Sequence, residues 1–206
     1  MDARHDPPNP GSGLTATRAP VIEDAQNRGE LFIEQPYHLY SEENHRTWQR
    51  LYDRMADRWD RYANAHFLEG LDRLCFDRER VPKLEDVNQF LEPLTGFTAR
   101  AVSGYIPAFQ FFDSIASASL PTTITIRSGE NLDYLPEPDI FHDIAGHVPM
   151  HTDPAFAETL VKLGGWTARG RARTEPQGTA DVDASARLAS ILRVSPASSG
   201  SRSSSA

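Results

Sequence analysis

A long amphipathic pattern that begins near residue 41 constrains the fold of this chain more than any other feature. Ser41-Glu42-Glu43 is typical of a helix N-cap followed by an acidic first turn. Large apolar side chains then recur at helical spacing: Trp48, Leu51, Tyr52, Met55, Trp59 and Tyr62. Because Arg and Asp residues fill the intervening positions, the pattern predicts a helix that buries one face in a core.

Shorter stretches of the same kind predict further helices at about 65–76, 84–94, 107–118, 139–146 and 154–163. The clearest strand signal is Thr122–Arg127, which alternates and is rich in β-branched residues. A second short strand is predicted at 101–106. The sequence therefore predicts a mainly α protein with short β elements.

Composition changes at both ends of this patterned region. Residues 1–30 are rich in Pro, Gly and small polar side chains, which predicts a disordered leader. After Gly165 the chain has no Phe, Tyr, Lys or His and is dominated by Ala, Ser, Arg, Gly and Thr. We therefore expect one domain over residues 31–164 and a disordered tail over residues 165–206.

Charge and cysteine content exclude several classes of protein. A net charge of −8 argues against nucleic-acid binding. No apolar run approaches the roughly 20 residues that span a membrane, and the N-terminus lacks an apolar signal segment. The single cysteine, Cys75, excludes an intramolecular disulfide and fits a reducing compartment. We expect a cytoplasmic monomer with neither nucleic-acid nor membrane partners.

A histidine segment, Pro138-Asp-Ile-Phe-His-Asp-Ile-Ala-Gly-His-Val-Pro149, carries the candidate chemistry. Neutral imidazole is a ready ligand for a transition metal. His142 and His147 are five residues apart, and an ideal helix would place them about 140° apart around its axis. The helix must therefore deform or end between them if both bind one metal, and Gly146 and Pro149 would allow this.

The residues alone leave the role of this segment open. The two histidines could be structural and hydrogen-bonded locally, or they could form a facial triad for non-haem Fe(II) with one carboxylate. Asp143 is predicted to lie beside the ligands, because adjacent residues point to different sides of a helix. His151 is a weaker rival, since Pro149 should disturb its helical spacing from His147. Other nearby carboxylates are Asp153 and Glu158.

Residues 136–149 resemble the signature of the aromatic amino acid hydroxylases, and most closely the bacterial phenylalanine-hydroxylating type. Ordered matches run from about Ile33 to Gly164 and include 81–87, 94–97, Phe111-Phe112, Ile126-Arg127 and 132–139. The resemblance implies the N-terminal two-thirds of that family's catalytic fold. It also implies an iron- and tetrahydropterin-dependent monooxygenase that uses O₂ to convert L-phenylalanine to tyrosine.

The resemblance also assigns residues that bind the metal and the substrate. His142 and His147 match the two iron-binding histidines. Arg127 matches the arginine that pairs with the α-carboxylate of the substrate, a task that suits a planar guanidinium. Pro138 falls close to the site.

Four further residues match positions around the family's pterin cofactor. Phe111 corresponds to the aromatic residue that stacks on the pterin. Ile106 and Ala108 fall in the loop that contacts it. Asp143 matches the acid beside the first histidine, near pterin and water.

The family's third iron ligand is a glutamate in a downstream Trp-aromatic-Thr-Val-Glu-Phe-Gly segment that this sequence lacks. The only glutamate after Glu158 is Glu175, in unrelated surroundings. A shifted reading frame in GC-rich DNA would explain the composition from Gly165 onward. We therefore expect an impaired hydroxylase or, alternatively, an inactive remnant that binds pterin or phenylalanine. A zinc hydrolase is disfavoured because the glutamate of a His-Glu-x-x-His motif is absent.

Overall fold

The computed structural model describes residues 20–130, 132–133 and 137–174. Seven α-helices and two strands follow one another in these ranges: α1 Pro20–Asn27, α2 Glu42–Tyr62, α3 Ala65–Leu74, α4 Leu84–Thr95, β1 Thr98–Ala101, α5 Ala108–Ala116, β2 Ser119–Thr122, α6 Gly146–His151 and α7 Pro154–Thr174. A π-helical turn, Phe141–Ala145, leads directly into α6. The predicted mainly α class is confirmed. None of the helices in the described ranges is both long and apolar enough to cross a bilayer.

The amphipathic pattern forms α2, and its N-terminus is the predicted one. The Ser41 side chain accepts a hydrogen bond from the backbone of Asn44, whose side chain in turn accepts one from the Ser41 backbone. The apolar face is buried at Trp48, Leu51, Tyr52 and Trp59, half-buried at Met55, and exposed at its end, where Tyr62 is 67% exposed. It packs an aromatic cluster that includes Phe141, whose ring centroid lies 5.1 Å from Trp48 and 6.1 Å from Trp59. Helix α2 thereby fixes the residue that immediately precedes His142.

The sheet is a small parallel pair in which α5 connects β1 to β2. Thr98 pairs with Ser119 and Ala101 with Thr122. On the other edge of β1, the Asn88 side chain from α4 donates to the Ala99 carbonyl at 2.9 Å and accepts from its N–H at 2.7 Å. An amide side chain thus takes the place of a neighbouring strand at this residue.

The strands lie earlier in the chain than predicted. β2 ends at Thr122, so the strand predicted at Thr122–Arg127 is wrong beyond its first residue, apart from an isolated bridge at Ile126. The next residues have other partners: Thr123 N–H donates to Asp143 Oδ2 and Arg127 N–H to Asp139 Oδ2. Carboxylates from the histidine segment therefore satisfy donors that a strand would offer to its neighbour. The short strand predicted at 101–106 is instead β1, which starts at Thr98.

Two described helices extend beyond the predicted limits of the domain at residues 31 and 164. Helix α1 lies within the predicted leader, and its Ala25 is fully buried. Gln26 Nε2 ties this helix to the Ser103 carbonyl at 2.6 Å. Helix α7 continues through Gly165 to Thr174, although the composition changes after Gly165. The rest of the predicted leader and tail, residues 1–19 and 175–206, lies outside the described residues.

Two glycines allow helices to approach closely around the site. A Cβ added at Gly70 of α3 would lie 2.1 Å from the carbonyl oxygen of Pro149 in α6. At Gly164 of α7 it would lie 2.6 Å from the backbone nitrogen of Ala116 in α5. These contacts leave no room for a side chain and fix how α6 and α7 sit against their neighbours.

Candidate metal and substrate site

The π-helical turn brings His142 and His147 together. Hydrogen bonds in a π-helix join residues five apart, so the wider turn places such residues on one face. The two Nε2 atoms lie 3.0 Å apart, and the rings are nearly perpendicular with centroids 4.6 Å apart. The predicted deformation between the two histidines is confirmed, but it precedes Gly146. That glycine has an ordinary φ of −88°.

Burial keeps both imidazoles neutral. Desolvation, reinforced by the charge that His142 could carry, lowers the pKa of His147 to about 3. Burial also lowers the pKa of His142, although the nearby Asp139 carboxylate opposes this. Since neutral imidazole is the form that binds metals, the pair is ready to act as ligands near neutral pH.

Asp143 is the only carboxylate in the described ranges that joins this pair. One ligand atom from each of His142, Asp143 and His147 falls within 4.8 Å of the others. Asp143 Oδ2 accepts the Thr123 N–H at 2.8 Å. Burial raises the pKa of the Asp143 carboxyl to about 7, and the Thr123 hydrogen bond only partly opposes it.

Asp139 organises the site, and it is the residue that sequence reasoning missed. Its buried carboxylate accepts the His142 backbone N–H at 2.9 Å. An aspartate at a helix N-cap accepts the N–H of the residue three positions later in the same way. The same carboxylate accepts from Arg127 Nε at 2.7 Å and Nη2 at 3.0 Å. The sequence signal was present, because an aspartate after Pro138 and three residues before His142 is a capping pattern.

Arg127 lies where a ligand could meet His142. Its guanidinium is held by Asp139 and donates from Nη1 to the Leu132 carbonyl at 3.2 Å. Arg127 and His142 line the same cavity, about 220 Å³ in volume. A guanidinium has five N–H donors, so some remain for a ligand.

The other predicted site residues lie apart from that cavity. Ala108 begins α5, Ile106 precedes it, and Phe111 packs edge-on to Phe112 with ring centroids 5.8 Å apart. None of these three lines the cavity among the described residues, so their pterin contacts stay predictions. Pro138 is exposed immediately before Asp139.

The rival metal ligands have other partners. Helix α6 continues through Pro149, contrary to the expectation from sequence, and His151 Nδ1 lies 2.9 Å from the His147 carbonyl. Asp153 caps the start of α7 and pairs with His66 at 3.0 Å. Glu158 pairs with Lys162 on the surface.

The arrangement fits a transition metal. Two nitrogens each about 2.1 Å from one ion and about 90° apart would be separated by roughly 3.0 Å. The observed Nε2 separation matches that value. The Asp139 carboxylate fixes the backbone of the first histidine by accepting its N–H.

Comparison with known proteins agrees with this geometry. A phenylalanine-4-hydroxylase of Caulobacter vibrioides is 42% identical over 137 residues, which is 66% of this chain and 47% of that protein. The chain thus spans about half the length of this curated relative.

Two solved structures of Chromobacterium violaceum phenylalanine hydroxylase superpose well. One holds iron(III) and 7,8-dihydrobiopterin, with a TM-score of 0.69, 36% identity, and coverage of 84% of this chain and 62% of that chain. The other holds iron and phenylalanine, with a TM-score of 0.65, 36% identity, and coverage of 73% and 56%. The model of the biopterin-dependent aromatic amino acid hydroxylases matches residues 22–171, and the chain belongs to that family.

Proposed function

We propose that this chain provides the metal-, pterin- and substrate-binding part of a phenylalanine 4-monooxygenase. The observation that carries the proposal is the half-buried, neutral His142–His147 pair with Nε2 atoms 3.0 Å apart, of which His142 lines the same cavity as Arg127. Relatives of this chain are named phenylalanine-4-hydroxylase, and a solved neighbour binds iron and phenylalanine. The reaction would hydroxylate the ring of L-phenylalanine with O₂.

Each residue of the site has a role in this proposal. His142 and His147 hold Fe(II), and Arg127 binds the α-carboxylate of the amino acid. Bound iron and a reduced pterin supply the activation of O₂ that ring hydroxylation requires. Asp143 offers a carboxylate beside the metal, and its raised pKa lets it hold a proton near neutral pH.

The pterin assignment rests on the resemblance at α5. Phe111 would stack on the pterin ring, with Ile106 and Ala108 contacting its edge. The half-buried Phe111 keeps part of its ring accessible for such a contact. A solved relative with dihydrobiopterin supports the same cofactor class.

We further infer that the chain alone holds iron weakly. In the described ranges, only two imidazoles and Asp143 reach the site, and one oxygen of that carboxylate already accepts a hydrogen bond from Thr123. A triad whose carboxylate has no such competing partner would bind more tightly. Slow turnover, or binding without turnover, is the expected behaviour.

Anaerobic Fe(II) titration followed by a tyrosine assay with tetrahydropterin, O₂ and L-phenylalanine tests the function. We expect one iron per chain and a low rate that His142→Ala or His147→Ala abolishes. Iron and pterin binding without any tyrosine would support the alternative of a binding remnant. If neither iron nor pterin binds, both versions fail.

Location and assembly are proposed as a cytoplasmic monomer. The exposed thiol of Cys75 is compatible with a reducing compartment. Size-exclusion chromatography with light scattering should give a mass near 23.0 kDa. A mass of twice that value would contradict the monomer.

A further inference from the structure

The cavity beside His142 has walls of two kinds. It lies between α2 and the π-helical turn and has a volume of about 220 Å³. Its apolar lining residues are Leu51, Met55, Trp59, Leu132 and Phe141. Its ionisable lining residues are Arg54, Arg58, Arg127, Asp133 and His142.

The charges around the cavity are unequally matched. Asp139, which does not line the cavity, accepts from two nitrogens of the Arg127 side chain, and Asp133 pairs with Arg54. Arg58 has no carboxylate partner among the described residues. One positive charge at this rim is therefore uncompensated, and it would attract an anionic group.

We propose that this cavity recognises the free α-amino acid as a zwitterion. Arg58 joins Arg127 in binding the carboxylate, and Asp133 binds the ammonium group. The Asp133 side chain is 73% exposed, so it can turn towards a ligand at the cavity mouth. This inference rests on the proposed function and deepens it by naming two residues that select the substrate.

The apolar wall fits the remaining part of such a ligand. Trp59 and Phe141 stack with ring planes 12° apart, and Leu51 is buried beside them. An aromatic ring lying on this wall would replace water with carbon contacts. The volume is below the roughly 300 Å³ at which pockets for drug-sized ligands begin, so a single aromatic amino acid is the size class that fits.

Three ligands separate the contributions of the two charges. L-phenylalanine carries both, 3-phenylpropionate only the carboxylate, and phenethylamine only the ammonium group. Calorimetric titration of the metal-free full chain should show tighter binding of L-phenylalanine than of either analogue. Arg58→Met should weaken L-phenylalanine and 3-phenylpropionate by about tenfold or more and leave phenethylamine unchanged.

Asp133→Asn should give the complementary pattern. It should weaken L-phenylalanine and phenethylamine and leave 3-phenylpropionate unchanged or tighter. Arg61→Met is the matched control, because Arg61 is an exposed arginine of the same helix that does not line the cavity. Thermal melting of each variant separates lost binding from lost folding.

The proposal is overturned if Arg58→Met binds all three ligands like the unaltered chain, or if the unaltered chain binds none of them. The tyrosine assay judges the proposed function separately. Tyrosine formation with an unchanged Arg58→Met profile leaves the function standing and removes this inference. If the binding pattern is charge-selective but no tyrosine forms, this inference stands and the proposed hydroxylase activity falls.

Discussion

His151 carries a buried ring nitrogen, Nε2, that has no hydrogen-bond partner in the part of the chain that the structure describes. The rings of Phe97 and Phe156 pack edge-on against the imidazole, with centroids 5.0 and 5.5 Å away. An unsatisfied buried polar atom costs about 1–3 kcal/mol, and an apolar side chain of similar shape avoids that cost. The Nε2 atom of His151 therefore makes no hydrogen bond that would offset the cost of burying it.

We expect His151→Phe to raise the free energy of unfolding by about 1 kcal/mol, as the net of removing the unpartnered Nε2 and losing the contact of Nδ1 with the His147 carbonyl. His45 is the matched control, because its Nδ1 accepts the Val81 N–H at 3.2 Å. His45→Phe would leave that donor without a partner and should lower stability by about 1–3 kcal/mol. Urea unfolding of both variants tests the pair, and a loss of stability in His151→Phe contradicts the first expectation.

His45 also predicts a dependence of stability on pH. Burial lowers its pKa in the folded chain, the charge of Arg80 adds to this, and Glu42 and Asp77 oppose it. The unfolded chain, with a histidine pKa of about 6.5, then binds more protons than the folded chain below that pH. Stability should therefore be present at higher pH and fall as the pH drops below about 6.5.

The measurement is the urea midpoint between pH 8 and pH 5. His45→Asn keeps an acceptor for the Val81 N–H and does not titrate. Its midpoint should fall less steeply on acidification than that of the unaltered chain. Identical pH profiles for the two proteins would show that His45 does not contribute.

At the scale of elements, local signals located the helices well. The start of α2 follows from Ser41, and the end of α4 from Gly96, which has a φ of +76°. The strand after β2 was mispredicted because residues 12 to 20 positions away in sequence decide its hydrogen bonds, and alternation of side chains does not reveal them. The spacing of the two histidines predicted a break in the helix, but not that a π-helical turn provides it.

The edge of β1 depends on one amide. Asn88→Asp keeps the acceptor for the Ala99 N–H but removes the donor to the Ala99 carbonyl and opposes two oxygens. We expect a loss of about 1–3 kcal/mol in the free energy of unfolding at pH 7. Gln89→Glu makes the same chemical change at the exposed neighbouring position and should alter stability little. Equal effects from both substitutions would mean that added negative charge, not the lost donor, is responsible.

The contact between α3 and α6 links the packing of these helices to the candidate metal site. In Gly70→Ala the new methyl group would meet the Pro149 carbonyl, so α6 must shift together with His147. We expect a loss of about 1–3 kcal/mol in stability and weaker Fe(II) binding. Gly165→Ala is the control, since its nearest contact is the flexible end of Arg169 at 3.4 Å and alanine favours helix. Urea unfolding and Fe(II) titration measure the two effects. An unchanged free energy of unfolding and an unchanged Fe(II) affinity in Gly70→Ala would show that α3 and α6 can move apart without cost.

At the scale of the whole molecule, the described elements converge on the π-helical turn. The aromatic face of α2 packs against Phe141 in this turn, and α3 packs closely against α6, which follows the turn. Thr123, the residue after β2, donates its N–H to Asp143. The family and fold could be predicted from sequence because the histidine signature is specific. The roles of Asp139 and Arg58 could not, because each depends on which distant side chains meet it.

Metal binding should therefore stabilise the molecule as a whole. A ligand that binds only the folded state adds about 2.7 kcal/mol at a hundred times its dissociation constant. We expect the melting temperature to rise on anaerobic addition of Fe(II) and to return on chelation. His142→Ala should remove the rise, while His38→Ala, at an exposed histidine away from the site, should keep it. A rise that survives His142→Ala would place the metal elsewhere.

Asp139 gives the proposed amino acid and metal sites a shared dependence. One carboxylate holds both the guanidinium of Arg127 and the backbone of His142, so a ligand that draws on either side redistributes its hydrogen bonds. Two sites joined in this way are thermodynamically linked, and the linkage is reciprocal. If phenylalanine changes the affinity for Fe(II) by some factor, then Fe(II) must change the affinity for phenylalanine by that same factor. Arg127 and Asp139 are only twelve residues apart in sequence, so a single carboxylate within one short segment would couple the two ligands.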